Sequence, residues 1–191
     1  MHHRLATAVL TLAAGTILAA GAAFAASHGG ENPMVGGAPM FADKNIIENA
    51  VNSADHTTLV AAVTAAGLVE TLQGEGPFTV FAPTNAAFEK LPAGTVETLL
   101  KPENKDQLTK ILTCHVVAAN ALAADINKRV ADDGGMHRVQ TVGGCDFTAM
   151  VEGDTIKIKD GQGNVATVEI ADVKQSNGVI HSIDTVLLPA N

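Results

Sequence analysis

Ser176-Asn-Gly-Val-Ile-His-Ser-Ile-Asp184 sets a histidine, a serine and an acid within four residues, among apolar side chains. Those are the residue types of a nucleophilic active site. The alternation argues for a different role. On a strand, Val179, His181 and Ile183 share one face while Ile180, Ser182 and Asp184 share the other, so His181 and Ser182 point apart. A base for Ser182 has to come from elsewhere, and His115 is the other histidine in a comparably apolar strand context. No Gly-x-Ser-x-Gly surrounds any serine. His181 therefore reads as a buried or half-buried histidine hydrogen-bonded to nearby backbone, and the chain as a protein without a catalytic residue.

Working outward, Asn177-Gly178 reads as a tight turn with positive φ, and Asp160-Gly-Gln-Gly-Asn164 as a hairpin connection. Short apolar runs alternate with such turns through the second half: His115 to Val117, Val139 to Val142, Phe147 to Val151, Thr155 to Ile158, Val165 to Ile170, Val179 to Ile183 and Val186 to Leu188. Cys114 and His115, as neighbours on a strand, would face opposite ways.

The first half is helical in pattern. Ile46, Ile47, Ala50 and Val51 fall on one face, and Asp55 is placed to cap a helix that carries Leu59, Val60, Val63 and Leu68. Phe78-Thr-Val-Phe81 alternates like a half-buried strand, which Pro83-Thr-Asn85 ends. Thr84 or Asn85 caps the short helix Ala86 to Lys90, and Pro102 restarts a helix whose Leu108, Ile111 and Leu112 share a face. Helices first and antiparallel-looking strands second predict an α+β fold.

The chain opens on Met1-His-His-Arg4, an uncharged apolar run from Leu5 to Ala20, and Ala23-Phe-Ala25. This predicts a secretory signal peptide over residues 1–25. Residues 26–42, rich in Gly, Pro and Met, read as a flexible linker, and 43–191 as the folded domain. The mature protein is expected to be secreted, to the periplasm, the exterior or the cell surface, with no transmembrane segment. Its formal charge becomes −9, against −8 for the whole chain, because Arg4 is lost. Such an acidic surface argues against nucleic acid and anionic lipid as partners.

No metal or cofactor is expected. His28, Met34 and Met40 could be soft ligands, but their spacing fixes no geometry. The histidines show no His-x-x-x-His pattern and the cysteines no Cys-x-x-Cys. In an exported protein the pair Cys114 and Cys145 favours a disulfide closing a loop of about 31 residues, worth roughly 3–4 kcal/mol in a chain-entropy account. Two separate buried thiols are the alternative.

Two segments combine into something more specific. Phe78-Thr-Val-Phe-Ala-Pro-Thr-Asn-Ala-Ala-Phe88 and Asn177-Gly-Val-Ile-His-Ser-Ile-Asp-Thr-Val-Leu-Leu-Pro189 closely resemble the two signature boxes of the fasciclin domain. Leu112-Thr-Cys-His-Val-Val117 is similar to that family's Tyr-His segment, with Cys114 at the tyrosine position and His115 at the histidine. The resemblance covers about residues 43–189. It implies a β-sandwich-like wedge with helices packed along one side, and structural roles for Pro83, Thr84, Asn85, His115 and His181. It also implies cell adhesion or matrix and envelope association, with a cell-surface or matrix protein or polysaccharide as partner. Animal members carry Glu-Pro-Asp-Ile-Met ahead of the second box, where this chain has Ile170-Ala-Asp-Val-Lys174. By that correspondence Asp172 and Val173 are candidate partner-binding residues. The alternative function is a periplasmic carrier of a small apolar ligand held between sheet and helices.

Overall fold

The computed structural model describes residues 32–190. The expected signal peptide, His28 and the first part of the expected linker lie outside those residues. The rest of that linker is not flexible chain. Met34–Val35 (β1) and Ala38–Pro39 (β2) pair antiparallel around Gly36 and Gly37, whose φ values of 57° and 75° close a two-residue hairpin. Val35 and Met40 are buried in the main core, and the Gly36 carbonyl accepts from the Ala54 amide. The glycines that suggested a linker are thus turn residues, and Met40 is a core side chain.

Helices follow at Ile46–Ala50 (α1), Thr57–Ala66 (α2) and Val69–Gln73 (α3). Asn45 caps α1, in a reciprocal capping box with Glu48. Strand Phe78–Pro83 (β3) leads into Asn85–Glu89 (α4), Thr95–Leu99 (α5) and Lys105–Cys114 (α6). Cys114 therefore ends a helix and His115 caps it, and the expected strand shrinks to Val116–Val117 (β4). Beyond it lies a helix that the strand-rich reading of this region did not include, Ala123–Asp132 (α7), whose Ile126 and Val130 are the buried pair one turn apart.

Five strands complete the sheet: Met136–Gln140 (β5), Asp146–Glu152 (β6), Thr155–Lys159 (β7), Val165–Gln175 (β8) and Gly178–Ile183 (β9). Val186 and Leu187 are buried but form no strand. The seven-stranded order is β4-β3-β9-β8-β7-β6-β5, antiparallel except where β9 runs parallel to β3 from Phe78↔Gly178 to Pro83↔Ile183. Strand β8 pairs with β7 through its first residues and with β9 through its last. Register shifts around Ile170 bend it between the two.

The described residues form two apolar clusters, and β3 and β9 lie between them. Val80, Ala82 and Ile180 face the helical cluster with Leu59, Val63, Leu108 and Ile111. Phe81 and Ile183 face the other, with Phe147, Ile158 and the α7 pair. Covered on both sides, β3 and β9 read as near-continuous apolar runs, as parallel strands usually do.

Candidate functional site

The residues of the two boxes meet along the β3–β9 pair, and there the three buried histidines are held in place. His181, fully buried, stacks against Phe81 with ring centroids 5.7 Å apart. Its Nδ1 accepts from the Asp172 amide at 3.3 Å and its Nε2 donates to the Ala121 carbonyl at 2.8 Å. A backbone amide can only donate, so the ring is neutral with its proton on Nε2. Burial lowers its pKa, against smaller opposing effects of the Ala121 carbonyl and Asp172.

His115 is the mirror case. Its Nδ1 donates to the Ile111 carbonyl at 2.8 Å and its Nε2 accepts from the Leu187 amide at 2.9 Å. The ring ties the end of α6 to the segment after β9. Burial pushes its pKa down to about 4, against the weaker influence of the Ile111 carbonyl and Asp160.

Ser182 does face a histidine, and it is His56 rather than His115. Ser182 Oγ lies 3.3 Å from His56 Nε2, and His56 Nδ1 lies 2.9 Å from Ser53 Oγ. Burial lowers the His56 pKa, opposed in part by a hydrogen bond to the Ala82 carbonyl. Ala82 is the register partner of Ser182 across β3–β9. Each hydroxyl can donate or accept, so the neutral ring engages both of its nitrogens, Nδ1 with Ser53 and Nε2 with Ser182, in either tautomer. Ser53, His56 and Ser182 are all under 4 % exposed. Sequence reasoning missed this chain because Ser182 and His56 are 126 residues apart; the one local signal was the Ser53-x-x-His56 spacing.

Asp184, third of the opening trio, does not share that cluster. Its burial works to raise its pKa, but the Thr167 amide at 2.7 Å and Lys90 at 3.1 Å hold the carboxyl below its ordinary range. Pro83 closes β3, fully buried. Thr84 accepts from the Ala87 amide as the cap of α4. Asn85 reaches across to α2: its Oδ1 accepts from the Thr58 amide at 3.0 Å and its Nδ2 donates to the Ala54 carbonyl at 2.8 Å. It caps α2 from another part of the chain, where Asp55 was expected to do so from its own.

The two candidate partner-binding residues separate. Val173 has no exposed surface and belongs to the helical core, because the bend in β8 turns it inward. It is not available to a partner. Asp172 is half-buried, with a φ of 59° that only glycine adopts at ease. Its carboxylate accepts from the Ala123 amide at 2.7 Å, at the first turn of α7. Asn177 and Gly178 also differ from expectation, since neither takes positive φ. Gly178 is required for another reason: a Cβ there would lie 2.0 Å from the Phe78 carbonyl oxygen.

Cys114 and Cys145 are joined, with Cα atoms 5.4 Å apart, pinning the end of α6 to the β5–β6 turn. Among the described residues no three His, Cys, Asp or Glu side chains group as a metal site, and no helix is long and apolar enough to cross a membrane. Between sheet and helices lies an apolar cavity of about 40 Å³, bordered by Val35, Met40, Leu59, Val80 and His56.

Comparison with known proteins agrees with this arrangement. The fasciclin domain profile matches residues 54–189. Protein sll1483 of Synechocystis is 53% identical over 75% of this chain and 73% of its own. The cell surface glycolipoprotein MPB83 of Mycobacterium bovis is 42% identical over 64% of this chain and 48% of its own. Among solved structures, a FAS1 domain pair from the insect cell adhesion molecule fasciclin I superposes with a TM-score of 0.67. That match has 18% identity and covers 76% of this chain and 51% of the insect chain. With both signature boxes paired strand to strand, and with this degree of identity to its relatives, the chain belongs to the fasciclin-domain family.

Proposed function

We propose that this chain is an exported, non-enzymatic fasciclin domain that attaches to a cell surface, envelope or matrix through a protein or polysaccharide partner. The observation that carries the reading is its similarity to a relative named as a cell surface glycolipoprotein, on a fold it shares with an insect adhesion molecule. The site chemistry supports it: His56, His115 and His181 each have both ring nitrogens hydrogen-bonded inside the protein, and no buried side-chain polar atom among the described residues lacks a partner. Full internal pairing of this kind is what a structural role requires. The carrier alternative draws on the apolar cavity, but about 40 Å³ is far below the roughly 300 Å³ at which ordinary ligand pockets begin.

The test is titration of labelled protein onto cells of its source. Saturable binding that unlabelled protein competes away is expected. Its absence, together with an apolar molecule co-purifying in native mass spectrometry, would replace this reading with the carrier.

A further inference from the structure

A second concavity lies away from the histidines, at the end of the β3–β9 pair where both strands begin. It encloses about 560 Å³, within the size range of small-ligand sites. Its lining comes from separate parts of the chain: the end of α3, the loop before β3, the loop before α7 and the turn between β8 and β9.

The floor is built and rigid. Asn177 Oδ1 accepts from the Ile46 amide at 3.1 Å, while its Nδ2 donates to the carbonyls of Leu72 at 2.8 Å and Gly74 at 3.0 Å. Gln175 is fixed beside it by Asn49 and by the Val173 carbonyl. Gly178 lets the strand backbones close up beneath, as the 2.0 Å approach to the Phe78 oxygen requires.

The outer lining is different. Gln73, Asn120 and Ser176 are exposed, and their side chains make no hydrogen bond within the described residues. Each both donates and accepts, as sugar hydroxyls do. Glu75 is the one charged residue in the lining, and the chain as a whole is acidic, so an anionic ligand is repelled. One carboxylate is too little to select a cation. An extended peptide would need apolar subpockets for its side chains, and none lines this groove.

We propose that this amide-lined groove binds a segment of a neutral, hydroxyl-rich polysaccharide. The proposal rests on the surface-association reading above and names its partner class. The residues that line the groove include no aromatic, so each contact is weak and polymer avidity supplies the retention.

The test is affinity electrophoresis of the purified protein through gels containing dextran, mannan or galactan, with polygalacturonate as the anionic control. Retardation by at least one neutral polymer and not by polygalacturonate is expected. Gln73→Ala with Asn120→Ala removes two groups that make no internal bond, so it leaves the melting temperature unchanged and weakens retention about tenfold or more. Asn120→Asp, of the same size but without donors, weakens it in the same direction. No retardation by any neutral polymer, or retardation that the variants leave intact, overturns the proposal. Running the unsubstituted protein in both the polymer and the cell-binding assays separates the two readings. Full cell binding without polymer retardation rejects the groove and keeps surface association, whereas polymer retardation without cell binding keeps the groove and rejects surface association.

Discussion

The Asp172 amide donates to His181 Nδ1 at 3.3 Å while the Asp172 carboxylate accepts from the Ala123 amide at 2.7 Å. Asp172 and the histidine of the second box are therefore one structural unit, which holds the start of α7 against the bend in β8. It does so through a residue at positive φ, where side-chain bonds must offset backbone strain.

This makes the role of Asp172 separable by substitution. Asp172→Ala loses the cap on α7 and is expected to cost about 1–2 kcal/mol in urea unfolding. Asp172→Asn keeps an acceptor and tolerates positive φ, so it stays within about 0.5 kcal/mol of wild type. A partner that reads the negative charge would lose binding to both variants equally. Binding lost only in Asp172→Ala would trace to the displaced helix.

Acid should weaken the fold well before the carboxylates titrate. In the unfolded chain a histidine takes a proton as pH falls through about 6.5, whereas folded His115 resists until about 4. Its stabilising contribution is therefore whole above the unfolded value and declines between the two, by roughly 3 kcal/mol in total. His56 and His181, also lowered by burial, act in the same direction. Urea midpoints measured from pH 7 to 4.5 should fall steadily. His115→Asn, which retains a donor for the Ile111 carbonyl, should start lower and fall less steeply. Parallel slopes would remove His115 as the cause.

Reduction of Cys114–Cys145 opens a loop with a sequence separation of 31 residues. The chain-entropy account puts the loss at roughly 3–4 kcal/mol, or on the order of 10 °C in melting temperature for a domain of this size. Paired Cys114→Ala and Cys145→Ala substitutions should reproduce that shift without reductant. Mass measurement after alkylating unfolded, unreduced protein should show no added group. Two added groups would mean the pair is not bonded in solution.

Two glycines should rank in an order that turn propensity alone would reverse. At Gly134, φ is 78° and nothing lies within 4 Å of a Cβ, so Gly134→Ala costs about 1–2 kcal/mol of backbone strain. At Gly178, φ is not positive, but the added Cβ meets the Phe78 oxygen at 2.0 Å. Separating β3 from β9 to relieve that contact costs about 3 kcal/mol or more. Thermal melts of the two variants check the order, and equal losses would show that the strands can part at little cost.

Much of this protein was legible in its residues. The α+β class and the opposite faces of His181 and Ser182 follow from alternation and turn chemistry, because those depend on neighbours a few positions away, while the two boxes were marked by their resemblance to the family. The bent strand, the capping of α2 by Asn85 and the pairing of Ser182 with His56 do not. Nor does the burial of Val173, at a position that similarity marked as a contact residue. The linker reading failed for the same kind of reason: Gly36-Gly37 is a flexible pair in isolation and a hairpin turn once Val35 and Met40 have a core to enter. Sequence determined which segments could be strands and helices. Tertiary structure alone decided which polar groups meet, since a buried histidine takes its partners from whatever backbone or side chain packs against it, and here those partners lie as far as 126 residues away.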